Sequence, residues 1–168
     1  DGDRERFRSV VLGSAGYGAV GTNGIVSRAA NGGKFDRVRS GVETTLNGVT
    51  FAEGQYVVVG DSGTILTSTA GVTWAIETVP TGVSLQDVVF IDGRYIVVGY
   101  AGTILTSTDT RVCTPRPSGT LTALRGVTAG EGRFVVVGVF GLILPSPDVD
   151  TFTSVQSTTG TALARVRY

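Results

Sequence analysis

Four times along this chain an apolar run closes on a glycine, at Gly21, Gly60, Gly99 and Gly138, each 39 residues after the one before. Other positions keep the same phase without gaps. Val10, Val49, Val88, Val127 and Val166 form one series, Gly24, Gly63, Gly102 and Gly141 another, and Phe7, Leu46, Leu85, Leu124 and Leu163 a third. Residues 46–69 and 85–108 are identical at 15 of 24 places. A strict period of this length restricts the chain to architectures in which one small unit stacks on copies of itself, because such a unit cannot bury its apolar face alone. The units are 7–45, 46–84, 85–123 and 124–162, and residues 163–168 open a fifth.

Within a unit the pattern is that of short strands. In the second, Leu46 to Phe51 alternate in part and run into Ala52-Glu53-Gly54-Gln55, a turn whose glycine accommodates positive φ. Tyr56-Val57-Val58-Val59 is apolar and β-branched, as expected of a strand covered on both faces. Gly60-Asp61-Ser62-Gly63 makes a second tight turn and Thr64 to Ser68 a third strand; a fourth starts near Thr73-Trp74 and ends before Pro80. No segment has helical period. Four short strands per ~40 residues, in tandem, describe the blade of a β-propeller. The expected fold class is all-β, a propeller of four-stranded antiparallel blades. The chain encodes four blades and the first strand of a fifth, as a single domain or as part of a larger ring.

Composition removes several function classes. The absence of histidine takes away the commonest metal ligand and general base, and the single Cys113 excludes an intrachain disulfide and a cysteine zinc cage. No metal or cofactor is expected. The formal charge is zero, Lys34 is the only lysine, and no basic stripe offers counterion release to a nucleic acid. The densest charges, Asp1, Asp3, Arg4, Glu5, Arg6 and Arg8, alternate in sign as a solvated terminus does. No apolar run approaches the ~18 residues that cross a bilayer. The chain starts at Asp1 without a signal peptide, and the expectation is a processed segment that is secreted, periplasmic or extracellular.

The segment Ser68-Thr69-Ala70-Gly71-Val72-Thr73-Trp74 resembles the Asp-box, or BNR repeat, with its Ser-x-Asp-Gly-x-Thr-Trp core. The whole unit is similar to the sialidase-like propellers, especially the bacterial repeat proteins grouped with photosystem II stability/assembly factors. The box is degenerate: its Asp position reads Asn31, Ala70, Asp109 and Asp148, and its Trp position Phe35, Trp74, Cys113 and Phe152. The resemblance implies a structural role, capping the hairpin between the third and fourth strands while the aromatic packs beneath. An Asn or Asp side chain satisfies backbone donors that a turn leaves free, and Ala cannot, so the second turn is expected to be the weakest. The common phase of Asp109 and Asp148 favours turn capping over catalysis or calcium binding, and Cys113 reads as a small apolar filler.

Two sets of positions are candidates for binding. The loops joining second to third strands vary between constant glycines and offer Asn23, Asp61, Tyr100 and Phe140; the last two form an aromatic pair suited to a protein partner or a glycan. The innermost strands carry Arg8, Asn47, Gln86 and Arg125, followed by Ser9, Gly48, Asp87, Gly126 and Arg165, which would line an axial channel where arginines hold a carboxylate or phosphate. The sialidase likeness implies an arginine triad, a tyrosine–glutamate nucleophile and an aspartate acid/base. Tyr17, Tyr56 and Tyr95 share one core phase and Glu53 and Glu131 one turn phase, leaving no such pair. The expected function is therefore a noncatalytic interaction or assembly scaffold, partnered by another protein or by self-association that completes the propeller. A glycan-binding or glycan-hydrolysing propeller and a structural module of a larger extracellular assembly are the alternatives.

Overall fold

The computed structural model describes residues 5–130, 132–148 and 150–167; Asp1, Asp3, Arg4, Glu131 and Tyr168, singled out above, lie outside the described residues. The first blade comprises β1 (Phe7–Gly13), β2 (Gly16–Gly21), β3 (Val26–Ala29) and β4 (Asp36–Val38). The second holds β5 (Leu46–Ala52), β6 (Gln55–Gly60), β7 (Ile65–Ser68) and β8 (Ala75–Glu77). The third has β9 (Leu85–Ile91), β10 (Arg94–Gly99), β11 (Ile104–Ser107) and β12 (Thr114–Arg116), and the fourth β13 (Leu124–Gly130), β14 (Arg133–Gly138), β15 (Leu142–Ser146) and β16 (Val155–Gln156). Each is an antiparallel meander in chain order, and consecutive blades pack side by side through their first strands, which is the expected all-β propeller.

Local chemistry explains the hairpins. Ala52 pairs with Gln55 across Glu53 and Gly54, whose φ values of 50° and 73° are both left-handed, the geometry that matches the twist of the flanking strands. Asp92 and Gly93 repeat it at 48° and 75°. The fourth strand of the second blade begins at Ala75, just past Trp74, because residues 69–73 are spent in the turn.

The core is not central but lies in three slabs between neighbouring sheets. Val20, Val26, Leu46, Val49, Val58 and Leu66 fill the first; Val57, Val59, Ile65, Leu85, Val88 and Leu105 belong to the second; Ile96, Val98, Leu124, Val127, Val136 and Leu144 belong to the third. Val57 and Val59 thus face one neighbour and Val58 the other, which is why the second strands are apolar without alternation. The first blade differs on the side away from the second. Val10 is 60% exposed, whereas Val49, Val88 and Val127 are 8%, 3% and 2% exposed, and Phe7 and Leu12 are exposed beside it.

Successive innermost strands approach closely. A β-carbon on Gly48 would stand 3.1 Å from the Asp87 Cα, and one on Gly126 would stand 3.1 Å from the Arg165 Cα. Residues 164–166 therefore lie against the fourth blade as residues 86 and 87 lie against the second, and the Leu163 N–H donates to the Gly138 carbonyl at 3.0 Å.

Candidate functional site at the channel mouth

The ladder between first and second strands slips by one residue at the same place in every blade. Leu46 pairs with Gly60 but Gly48 with Val59, leaving Asn47 as the extra residue; Arg8, Gln86 and Arg125 are the extra residues of the other three. Such a β-bulge breaks the alternation and re-aims one side chain. These four line a single cavity of about 320 Å3 together with Asp87, Ala164 and Arg165.

Inside it, the Asn47 amide donates to Asp61 Oδ1 at 2.9 Å and to the Leu85 carbonyl at 2.8 Å. Arg125 donates to Gln86 Oε1 at 3.2 Å while its guanidinium carbon stands 5.0 Å from the centre of the Tyr100 ring, a cation–π contact. Arg165 donates to the Arg8 carbonyl. Asp87 accepts from the Val88 N–H at 3.0 Å and, across the blade boundary, from the Val127 N–H at 3.2 Å. Burial pushes its carboxyl above the ordinary range, opposed by those two donors and by Arg165 and Arg167.

The loop candidates and the channel candidates therefore meet, since Asp61 is bound to Asn47 and Tyr100 to Arg125. The other two loop candidates lie apart. Asn23 lines a separate open cleft of about 740 Å3 with Arg37, Arg39 and Glu43, and Phe140 is 71% exposed.

The loops share a backbone peculiarity. Asn23, Ser62, Ala101 and Phe140 have φ of 53°, 56°, 51° and 57°, and the glycine after each is left-handed as well. The N–H groups of Gly24, Gly63 and Gly102 donate to the carbonyls of Thr44, Val83 and Thr122 at 2.9–3.1 Å, tying each loop to the connector that leaves its blade. Asparagine accepts left-handed backbone readily, whereas a side chain such as phenylalanine stores about 1–2 kcal/mol of strain there.

The box positions sit between third and fourth strands, two strands from the channel. Asp109 Oδ1 accepts from the N–H groups of Val112 and Arg111 at 3.1 and 3.0 Å, and Asp148 Oδ1 from those of Thr151 and Asp150 at 2.8 and 3.0 Å. These donors hold both carboxyls below their usual range. Asn31 is exposed in the corresponding first turn. Around Ala70 the Gly71 N–H still donates to Ser68 Oγ at 2.8 Å, but Ala70 supplies no acceptor. Trp74 packs on the first slab, 6.4 Å from the Tyr56 ring, and Phe152 on the third. Cys113 packs on the second slab, and burial pushes its thiol up, away from the reactive thiolate.

Ala70→Asp should then add the missing acceptor and raise stability by about 1 kcal/mol near neutral pH. A carboxyl whose folded pKa is depressed stabilises above its unfolded pKa and ceases to do so as pH falls through the folded value. The gain should accordingly be full near neutral pH and shrink as pH falls below the ordinary aspartate range toward the depressed folded value, which urea unfolding of both chains across that acid range would measure.

Among the described residues no cluster of three or more His, Cys, Asp or Glu could hold a metal ion, and no helix is long and apolar enough to cross a membrane. The fold is a β-propeller, and the innermost strands of its blades frame an arginine-lined cavity. No protein-family model matches the chain, nor does any curated protein. Solved structures do match it. YCF48 from Cyanidioschyzon merolae is 15% identical with a TM-score of 0.73, over 96% of this chain and 59% of that one. YCF48 bound to D1 peptide is 16% identical with a TM-score of 0.71, over 90% and 53%. The WD40 β-propeller domain of Doa1 is 13% identical with a TM-score of 0.69, over 96% and 58%. The likeness is one of fold, and the chain spans less than two thirds of the length of each.

Proposed function

We propose that this propeller is a noncatalytic protein-interaction or assembly scaffold that docks a partner across its second-to-third-strand loops, with Phe140 on one loop and the Tyr100–Arg125 pair at the cavity as its principal contacts. The observation that carries this reading is Phe140, an aromatic side chain that is 71% exposed on left-handed backbone. It adds nothing to the slabs and costs conformational strain, so its contribution falls to an interface. Tyr100 and Arg125, of residue types that dominate interface energetics, stand together in a cation–π contact at the cavity. A YCF48 structure holds a D1 peptide, which supports peptide docking as a use of this fold. A glycosidase finds less support, because the Tyr56 and Tyr95 hydroxyls are engaged by the carbonyls of Gly16 and Ala52. The degenerate Asp-boxes serve as turn caps in this reading.

The exposed Phe7, Val10 and Leu12 favour self-association as a second reading, since the equivalent residues of the other blades are covered by a neighbouring sheet.

Selection from a displayed random-peptide library, with affinities read by fluorescence anisotropy, tests the first reading. Phe140→Ser and Tyr100→Ala should each weaken the selected peptides by about tenfold or more while unfolding transitions stay cooperative. Selection of glycans from a carbohydrate panel in place of peptides, or indifference to both substitutions, overturns it. Light scattering on the same samples reads the second: Val10→Asp should dissociate a multimer, and a monomeric parent chain refutes it.

A further inference from the structure

Three guanidinium groups, those of Arg8, Arg125 and Arg165, line the one channel cavity. Among the described residues none of them forms an ion pair; those pairs are Lys34–Asp36, Arg37–Glu5 and Arg116–Asp150, all elsewhere. The hydrogen-bond and ring partners of Arg125 and Arg165 are neutral. Arg125 has the Gln86 amide oxygen and the Tyr100 ring, and Arg165 has the Arg8 carbonyl. The single carboxylate on the wall, Asp87, is engaged by the Val88 and Val127 N–H groups. Three cations against one lining carboxylate, with Asp61 held beside it by Asn47, leave the cavity net positive; Arg8 and Arg165 are exposed to solvent there and Arg125 is half-buried. Two of the three reach the cavity because a β-bulge has turned them out of the ladder, at a register repeated in every blade.

We propose that this cavity is a binding site for a small oxyanion, a phosphate or a carboxylate group held by Arg8, Arg125 and Arg165. The planar fork of arginine matches either group bidentately, and a volume of about 320 Å3 admits such a group with part of the molecule that carries it. The site shares Arg125 with the proposed docking surface but does not depend on a protein partner.

Calorimetric titration with inorganic phosphate and with acetate, at constant ionic strength, tests it, and a peptide compared with its C-terminally amidated form identifies a peptide carboxylate as the source. Saturable binding is expected, weaker by about tenfold or more in Arg125→Gln and in Arg8→Gln, and intermediate in Arg125→Lys, which keeps the charge but not the fork. Asp87→Asn should tighten binding by removing the opposing charge, and it keeps the test open if an arginine variant does not fold. Arg111→Gln, on a distant box turn, should change nothing. Binding that survives Phe140→Ser supports the anion site independently of partner docking. Absence of saturation by any probe at tens of millimolar, or equal losses in Arg111→Gln and Arg125→Gln, overturns it.

Discussion

Gly102→Ala is expected to cost about 3 kcal/mol, a large loss for one methyl group. Gly102 has φ of 67°, and a β-carbon there would overlap the Thr120 carbonyl oxygen. Left-handed backbone alone accounts for about 1–2 kcal/mol of that figure. The remainder follows from moving the connector, because the Gly102 N–H donates to the Thr122 carbonyl at 3.1 Å and the clash cannot be relieved without lengthening that bond. Gly119→Ala separates the two effects. Its φ is 71°, yet nothing lies within 4 Å of the added carbon, so only the backbone term should appear. Urea unfolding of both variants reads the difference, and equal losses would show that strain alone, not the close approach, demands glycine. Gly24, Gly63 and Gly141 meet the connector carbonyls of Val42, Thr81 and Thr159 in the same way, so the effect should recur in every blade.

Tyr56→Ala should cost about 3–5 kcal/mol, and Tyr56→Phe about 1 kcal/mol. The side chain is almost wholly buried and crosses from the second blade to the first. Its ring stands 4.6 Å from that of Phe51 and fills the space beside Gly13 and Gly18, and its hydroxyl donates to the Gly16 carbonyl at 2.6 Å. Alanine would leave a void between Phe51, Gly13 and Gly18 and leave that carbonyl without its partner, whereas phenylalanine would lose only the bond. Tyr95 repeats the arrangement one blade on, donating to the Ala52 carbonyl at 3.1 Å, so Tyr95→Phe should show a similar small loss. If Tyr56→Phe proves as damaging as Tyr56→Ala in thermal unfolding, the hydroxyl and not the ring bolts the blades together.

Much of this arrangement is legible from the repeat. Val57 to Val59 announce a strand covered on both faces, and the slabs on either side explain why. Glu53-Gly54 and Asp92-Gly93 announce two-residue hairpins. The first blade's exposed Val10 shows the limit of that reading, for its letter and phase are those of Val49 and only the neighbouring sheet differs. The candidate site was half legible. Arg8, Asn47, Gln86 and Arg125 share a phase and so were readable as one ring, and Asp61 and Tyr100 as loop residues. That the two sets touch was not readable, because Tyr100 and Arg125 belong to different blades. Nor could Asn23 be separated from its phase mates, because its surroundings depend on the Arg37–Glu43 segment, which the other blades do not copy. The bulges carry no composition signal either, since three different side chains from two chemical classes occupy the four positions.

The sequence by itself determined the blade: its four strands, its left-handed glycines and the apolar phases that stack one unit on the next, all of which rest on contacts that recur every 39 residues and so leave a period. Only the tertiary structure decided the channel mouth. Its chemistry lies where the copies differ, in side chains that a one-residue slip in the ladder turns toward the channel cavity and that meet partners from another loop or blade. A repeat pattern records what the units have in common, and this site is made of what they do not.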